Sequence, residues 1–194
     1  MVRLNTPVSA IRRNQNGVQV VSKDGETTYD HVVVATHSDQ ALSLLKDASE
    51  EEKKILGAIP YQENIAILHT DESMLPKRKQ AWSSWNFLMP SNADERVCVS
   101  YNMNKLQSLK ARETFIVTLN SNQIRPEKIL KRYEYEHPLF TQDAVKAQEK
   151  YDLINGVNRT WFCGAYWGNG FHEDGVVSAL RVCKNFGGEL DHAW

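Results

Sequence analysis

The segment TWFCGAYWGNGFHEDGVVSALRVCKNFG, Thr160 to Gly187, constrains the fold more than any other part of the chain. An aromatic strand runs into a loop carrying Gly164, Gly168, Gly170 and Gly175, and the loop opens a helix. Glycines between a strand and a helix let backbone N–H groups approach an anion, and the helix N-terminus adds partial positive charge. A dinucleotide fingerprint, G-x-G-x-x-G, would need glycine where Glu173 stands, and the chain has no other G-x-G. Such a unit also needs a crossover helix and a second parallel strand after the loop, yet only Gly188 to Trp194 follow. The segment therefore reads as the end of a nucleotide fold. Its helix, Gly175 to Phe186, is expected to bury Val176, Ala179, Leu180, Cys183 and Phe186 on one face.

The partner of that helix is expected in the first third of the chain. VSAIRR, VQVVS and ETTYD, separated by Asn16-Gly17 and Asp24-Gly25, read as an antiparallel meander. HVVVAT lacks alternation and reads as a strand apolar on both faces. Ser38 is a candidate cap for DQALSLLKD, and Ser49 with Glu52 forms a capping box for EEEKKILGAI.

From Pro60 the pattern changes. ENIAILHT, AWSSWNFLM, RVCVSYNM and TFIVTLN are strand-like, with turns at Pro76 and around Pro90, Asn92 and Asp94, and suggest a largely antiparallel sheet. RPEKILKRYEYEH begins as a helical turn and ends as a strand, and TQDAVKAQEKYDLI is a helix capped by Thr141. The implied architecture is α/β (α+β) and discontinuous. Residues 1–57 and 156–194 form a partial nucleotide domain, and residues 58–155 are inserted into it.

The formal net charge of −1 gives no field that would draw nucleic acid or an anionic membrane, and Pro76-Lys77-Arg78-Lys79 is the one compact basic run. No apolar run approaches the ~20 residues that span a bilayer. Cys98, Cys163 and Cys183 form no CxxC pair and read as core residues of a cytoplasmic protein. His172-Glu173-Asp174 fails the H-E-x-x-H pattern because residue 176 is Val176, so metal ligation is not expected and Asp174 reads as a helix-capping residue. No G-x-S-x-G elbow supports nucleophilic catalysis.

LNTPVSAI, VVVATHSDQALSLL, AIPYQENIAILHTD, RYEYEHPLF and TWFCGAYWGNGFHEDG together resemble the flavin-containing amine oxidase superfamily, to which protoporphyrinogen oxidase and phytoene desaturase belong. Within it, the likeness is to a bacterial group described as predicted NAD/FAD-binding dehydrogenases. The resemblance spans nearly the whole chain, and it implies FAD as cofactor and hydride transfer from an organic substrate to flavin. Family members begin with a strand–GxGxxG–helix that this chain lacks. The resemblance thus implies a C-terminal portion whose partner is an N-terminal FAD-binding half, inactive by itself.

The same resemblance suggests roles for individual residues. The backbone of Val8 corresponds to a contact with the FAD adenine, although a valine opening a strand is the plain alternative. Ala35, Thr36 and His37 match the turn near the dinucleotide, with His37 also readable as a helix-entry residue. Gly164-Ala165 stands where the family usually has Gly-Asp, so Ala165 leaves binding to backbone N–H groups. Gly175 and Val176 correspond to a helix start whose N–H groups face the flavin. Tyr166, Trp167 and Phe171 would lie near the isoalloxazine, with core packing as the alternative. Trp82, Trp85, Tyr101, Tyr133 and Tyr135 would shape a pocket for a small organic or apolar substrate, or else form sheet core. Two further readings stay open: a non-catalytic module that oligomerises or pairs with a missing polypeptide, and a lipid-binding protein using the aromatic sheet.

Overall fold

The computed structural model describes residues 1–89 and 98–190. The turn expected around Pro90, Asn92 and Asp94, and the strand start at Arg96 and Val97, lie outside them. The chain forms two compact units, one from Met1–Tyr61 with the chain from Pro138 onward, the other from Gln62–His137.

The first unit opens with the meander β1 (Val8–Asn14), β2 (Gly17–Ser22) and β3 (Gly25–Tyr29), paired antiparallel in that order. Asn14 pairs with Gly17, so the two-residue loop is Gln15-Asn16, not Asn16-Gly17. Gly17 instead starts β2 at φ +149°, where a Cβ would lie 2.7 Å from the Tyr29 carbonyl oxygen. Close approach of β3 fixes this glycine rather than the turn.

β4 (Val32–Val34) leads into α1 (Ser38–Leu44) and α2 (Glu50–Leu56). Ser38 is not the cap of α1. It is the first helical residue, fully buried, and its hydroxyl donates to the Ile59 carbonyl at 3.4 Å while His37 occupies the cap position. The capping box of α2 forms as its sequence specifies: the Glu52 N–H donates to Ser49 Oγ at 3.2 Å, and the Ser49 N–H to Glu52 Oε2 at 2.7 Å. Glu52 also pairs with the buried Arg13 of β1, which reaches Asp47 at 3.0 Å and Thr160 Oγ1 at 3.3 Å. A buried guanidinium needs such partners on every side, and here they bind the meander to both α2 and the C-terminal strand.

In the second unit, β5 (Tyr61–His69), β6 (Trp85–Leu88), β7 (Cys98–Asn102), the short α3 (Met103–Leu106), β8 (Ile116–Leu119) and β9 (Ile129–Pro138) give a sheet in the order β6-β7-β8-β5-β9. Alternation along β7 buries Cys98, Ser100 and Asn102 and leaves Val99 and Tyr101 half-exposed. On the buried face, His69 Nε2 lies 2.8 Å from Thr118 Oγ1, which lies 2.7 Å from Ser100 Oγ, and the Asp71 N–H donates to His69 Nδ1 at 3.0 Å. The Asp71 carboxylate accepts from Ser73, from the Arg125 N–H at 3.0 Å and from the Arg125 guanidinium at 2.7 Å and 3.0 Å.

The chain returns to the first unit at Pro138 rather than near Asn155-Gly156. Leu139 N–H donates to the Pro60 carbonyl at 2.8 Å, and α4 (Gln142–Gln148) and α5 (Tyr151–Ile154) pack Ala144, Ala147 and Ile154 with Ile55 and Leu56 of α2. Thr141 caps α4 by accepting the Ala144 N–H at 3.1 Å. Residues 138–155 therefore belong with the first unit's core, because their apolar face fits α2. β10 (Thr160–Phe162) then pairs parallel with β4, Thr160 opposite Val32 and Phe162 opposite Val34. Val34, Thr160 and Phe162 are buried, but Val33 is 47% exposed, so β4 is not covered on both faces.

The last helix, α6 (His172–Cys183), starts one turn before Gly175. Its buried positions are Ser178 and Val182; of the expected stripe, Ala179 and Leu180 are half-buried, Phe186 sets its ring edge-on to Trp161 at 5.4 Å and His31 at 5.5 Å while staying partly exposed, and Val176 and Cys183 are exposed. Small residues at Gly175 and Ser178 bring this helix close to the preceding loop, which turns the larger apolar side chains outward. Cys98 and Cys163 are buried and burial pushes both thiols up, whereas Cys183 departs from the expected core role. No helix among the described residues is long and apolar enough to cross a membrane.

The buried groups of the second unit predict how stability depends on pH. Burial lowers the His69 pKa, so the unfolded state binds the proton more readily, and stability falls as pH drops through the ordinary histidine value of 6.5. The Arg125 hydrogen bond holds the Asp71 carboxyl far below its ordinary 3.8, so its contribution is present above that value and lost below it. Denaturant midpoints measured from neutral to acid pH should show both falls. The first should vanish in His69→Gln, and its persistence there would exclude His69 as its cause.

Candidate functional site

β4 and β10 run parallel, so their C-terminal ends emerge on the same side, and ligands in open α/β sheets bind outside such ends. Here β4 continues into Ala35, Thr36 and His37, and β10 into Cys163, Gly164 and Ala165. The Cys163 N–H donates to the Val34 carbonyl at 3.2 Å, and a Cβ on Gly164 would lie 3.5 Å from the Thr36 carbonyl oxygen. The two strand exits therefore touch. His37 stacks on Tyr61 with centroids 4.2 Å apart, and the Tyr61 hydroxyl accepts the Ser38 N–H at 3.2 Å. His37 is accordingly the helix-entry residue.

The loop after β10 is ordered by its own backbone and by three side chains. Ala165–Trp167 form a 3-10 turn, in which the Trp167 N–H donates to the Gly164 carbonyl and the Gly168 and Gly170 N–H groups both donate to the Ala165 carbonyl. Gly164 N–H donates to Ser178 Oγ at 2.9 Å, and that hydroxyl donates to the Gly175 carbonyl at 2.9 Å. Asp174 Oδ2 accepts from Asn169 at 3.0 Å and from Phe171 at 2.8 Å, which makes it the capping residue read from the sequence. Its carboxylate also explains Gly168, where a Cβ would fall 2.4 Å from Asp174 Oδ1. Gln148 Nε2 donates to the Tyr166 carbonyl at 2.8 Å and to the Gly168 carbonyl at 2.7 Å.

Two donors remain. Among the described residues, no acceptor takes the N–H of Ala165 or of Tyr166, the first two positions of the 3-10 turn, where such groups are intrinsically orphaned. Gly175 faces the first of them: a Cβ there would meet nothing nearer than the Ala165 nitrogen, at 3.9 Å. Phe171 at the cap position of α6 offers no side-chain acceptor to the first-turn N–H groups of that helix. The loop thus presents N–H donors beside a position cleared by glycine, an arrangement suited to anionic or carbonyl oxygen.

Gly164, Ala165 and Gly175 therefore come together, while other expected site residues do not join them. The Gly175 N–H donates to the Phe171 carbonyl at 3.3 Å and so lies within the helical ladder, one turn past the free end. Val176 follows it inside the helix with its side chain exposed. Tyr166 is 2% exposed as a whole residue: its ring packs in the core and lies where a Gly164 Cβ would be, and burial pushes its phenol well up. Trp167 packs edge-on to Tyr151 at 4.9 Å, and Phe171 is exposed. Val8 opens β1 opposite Ser22, and no hydrogen bond or ring contact among the described residues joins it to the loop.

In the second unit, Trp85 and Tyr101 are cross-strand partners with rings 5.2 Å apart, on the half-exposed sheet face that also carries Phe87. Tyr133 and Tyr135, two residues apart on β9, stack at 5.8 Å. Trp82 instead braces its own loop, donating to the Pro76 carbonyl at 2.8 Å beneath Lys79. Sequence reading missed Gln148 and Ser178. A glutamine ending a helix and a serine within one carry no local signal of the loop they hold.

Residues 1–109 match the model of the flavin containing amine oxidoreductase family. The chain belongs to that family. The match stops before the glycine loop, whose place in the fold comes from solved structures. A conjugated-linoleic-acid-producing fatty acid isomerase from P. acnes superposes with a TM-score of 0.61 at 15% identity, over 94% of this chain and 48% of its own. Putrescine oxidase bound to putrescine gives 0.61 at 13% identity, over 96% and 49%. Cyclohexylamine oxidase from Brevibacterium oxydans IH-35A gives 0.60 at 14% identity, over 93% and 48%. At these identities the likeness is one of fold, and the chain spans about half the length of each structure. No protein of curated function matches the sequence.

The donor set fits a flavin cofactor: an orphaned backbone N–H, a helix N-terminus and a glycine-cleared approach need no acidic side chain at Ala165. Gly175 supplies a test. It lies inside α6, where alanine is favoured by ~0.5–1 kcal/mol, and a Cβ would make only ordinary contact. Gly175→Ala is expected to raise the melting temperature and to weaken flavin binding, measured by thermal unfolding and flavin titration. A stabilised variant with unchanged binding would remove Gly175 from the site.

Proposed function

We propose that this chain forms one wall of the FAD site of an oxidoreductase, at the C-terminal ends of β4 and β10. The observation that carries this reading is the unused N–H of Ala165 beside the open face of Gly175, in a chain of a flavin-containing family. FAD when bound would supply the hydride acceptor for oxidation of a C–N or C–C bond. The chain's own part is to hold the cofactor's polar groups with backbone donors and the first turn of α6, whose partial positive charge favours anionic oxygen. Val8, by its place in the family pattern, would contact the adenine. Within the second unit, the sheet face bearing Trp85, Phe87 and Tyr101 would offer aromatic surface to a small organic or apolar substrate.

The site needs a polypeptide partner. β4 and β10 form a sheet of only two strands among the described residues; Gly156 N–H, donating to the Thr160 carbonyl, and Asn155 Oδ1, accepting the Phe162 N–H, cover the far edge of β10, so the open edge is that of β4. Exposed Val33, Val176, Val177 and Phe186 add an apolar surface on the same unit. An N-terminal FAD-binding half, in the same or another polypeptide, would extend the sheet and cover that surface. The same open edge of β4 favours the second reading, a non-catalytic module that self-associates. That reading predicts oligomers without flavin.

Ala165→Pro tests the first reading with little cost to folding. Ala165 opens a 3-10 turn, its N–H has no acceptor among the described residues, and Gly164 before it is extended at ψ 162°, as a residue before proline must be. The variant should keep the wild-type melting temperature and lose flavin affinity by about tenfold, read by titration with FAD. Equal affinity in both proteins would exclude this N–H from the site.

A further inference from the structure

The loop after β10 hides its acceptors as consistently as it shows its donors. The carbonyl of Gly164 is taken by the Trp167 N–H, and that of Ala165 by Gly168 and Gly170. Those of Tyr166 and Gly168 are both taken by Gln148 Nε2, at 2.8 and 2.7 Å. Ser178 and Asp174 also hold the loop, but they lie in α6, the helix the loop runs into. Among the described residues, Gln148 is the one side chain outside α6 that hydrogen-bonds residues 164–170.

We propose that Gln148 is a positioning residue for the cofactor site: by drawing two loop carbonyls onto α4, it keeps acceptor oxygens away from the donors at Ala165 and Tyr166. The proposal rests on the flavin reading above for the identity of the ligand. Three of the loop's residues, Gly164, Gly168 and Gly170, impose little conformational preference of their own, so the loop's shape has to be set from outside. Gln148 is placed to do this because α4 is fixed by the buried Ala144 and Ala147 and by the Thr141 cap. A primary amide has two N–H donors on one nitrogen, and both are used here. Glutamate has none and would set its oxygens against two carbonyls. Methionine matches the length but offers no donor.

The test measures the wild type, Gln148→Met and Gln148→Glu in the full chain. In the wild type, the side-chain amide protons of Gln148 should exchange slowly with solvent, whatever the variants do. Hydrogen exchange at the Gly168 and Gly170 amides should be faster by about tenfold in both variants, with exchange in β1 and β2 unchanged. FAD titration should show affinity falling in both variants, further in Gln148→Glu, at an unaltered melting temperature. Fast exchange of the Gln148 amide in the wild type, or loop exchange unchanged in a folded variant, overturns the proposal. So does equal FAD affinity in a variant whose loop has loosened. If the wild type binds no FAD while loop exchange rises in the variants, the flavin reading falls and the hold of Gln148 on the loop stands.

Discussion

The short parallel pairing of Val32–Val34 with Thr160–Phe162 is the constraint on which the first unit depends. It joins segments far apart in the chain, with a separate sheet unit between them. Closing so long a loop costs entropy that a three-residue ladder does not repay alone. The balance comes from its surroundings: Phe162 fully buried, Thr160 tied to Arg13, and Arg13 shared with Glu52 and Asp47. The N-terminal meander, the first two helices and the C-terminal strand are thereby one packed body, and the strand exits are brought together at its edge.

That juxtaposition converts an ordinary glycine loop into a site. Four of the loop's carbonyls are held internally or through Gln148, and the N–H groups of Ala165 and Tyr166 have no acceptor among the described residues. A polar backbone group without a partner beside an open position is an unsatisfied demand for a ligand oxygen. Gly175 preserves that demand against the helix's own preference for a larger residue. The glycines of the segment thus have separate causes. Gly164 makes room for the Tyr166 ring, Gly168 for the Asp174 carboxylate, and Gly175 for open space beside Ala165.

Much of the fold was legible in the chain because its signals were local. Ser49 and Glu52 specify the start of α2, Thr141 that of α4, and the alternation around Ser100 and Tyr101 sets the faces of β7. The misreadings arose where a distant contact outweighed a local pattern. Ser38 reads locally as a cap, but its hydroxyl is drawn inward by Ile59. The pattern Val176 to Phe186 reads as one packed stripe, but Ser178 and Val182 take the buried positions and leave Val176 and Cys183 exposed. Residues 138–155 read as part of the inserted sheet unit, but their small apolar positions fit against α2.

The sequence by itself determined the order of strands and helices, the capping of α2 and α4, the glycine loop near the C-terminus and the family the chain resembles. The first three follow from the spacing of neighbouring residues, and the last is a resemblance carried by several motifs taken together. Only the tertiary structure decided that β4 and β10 exit side by side, that Gln148 and Ser178 hold the loop, and that Ala165 and Tyr166 are the donors left open. Each of these depends on which hydrogen bonds remain after distant segments have packed, and no local pattern carries that information.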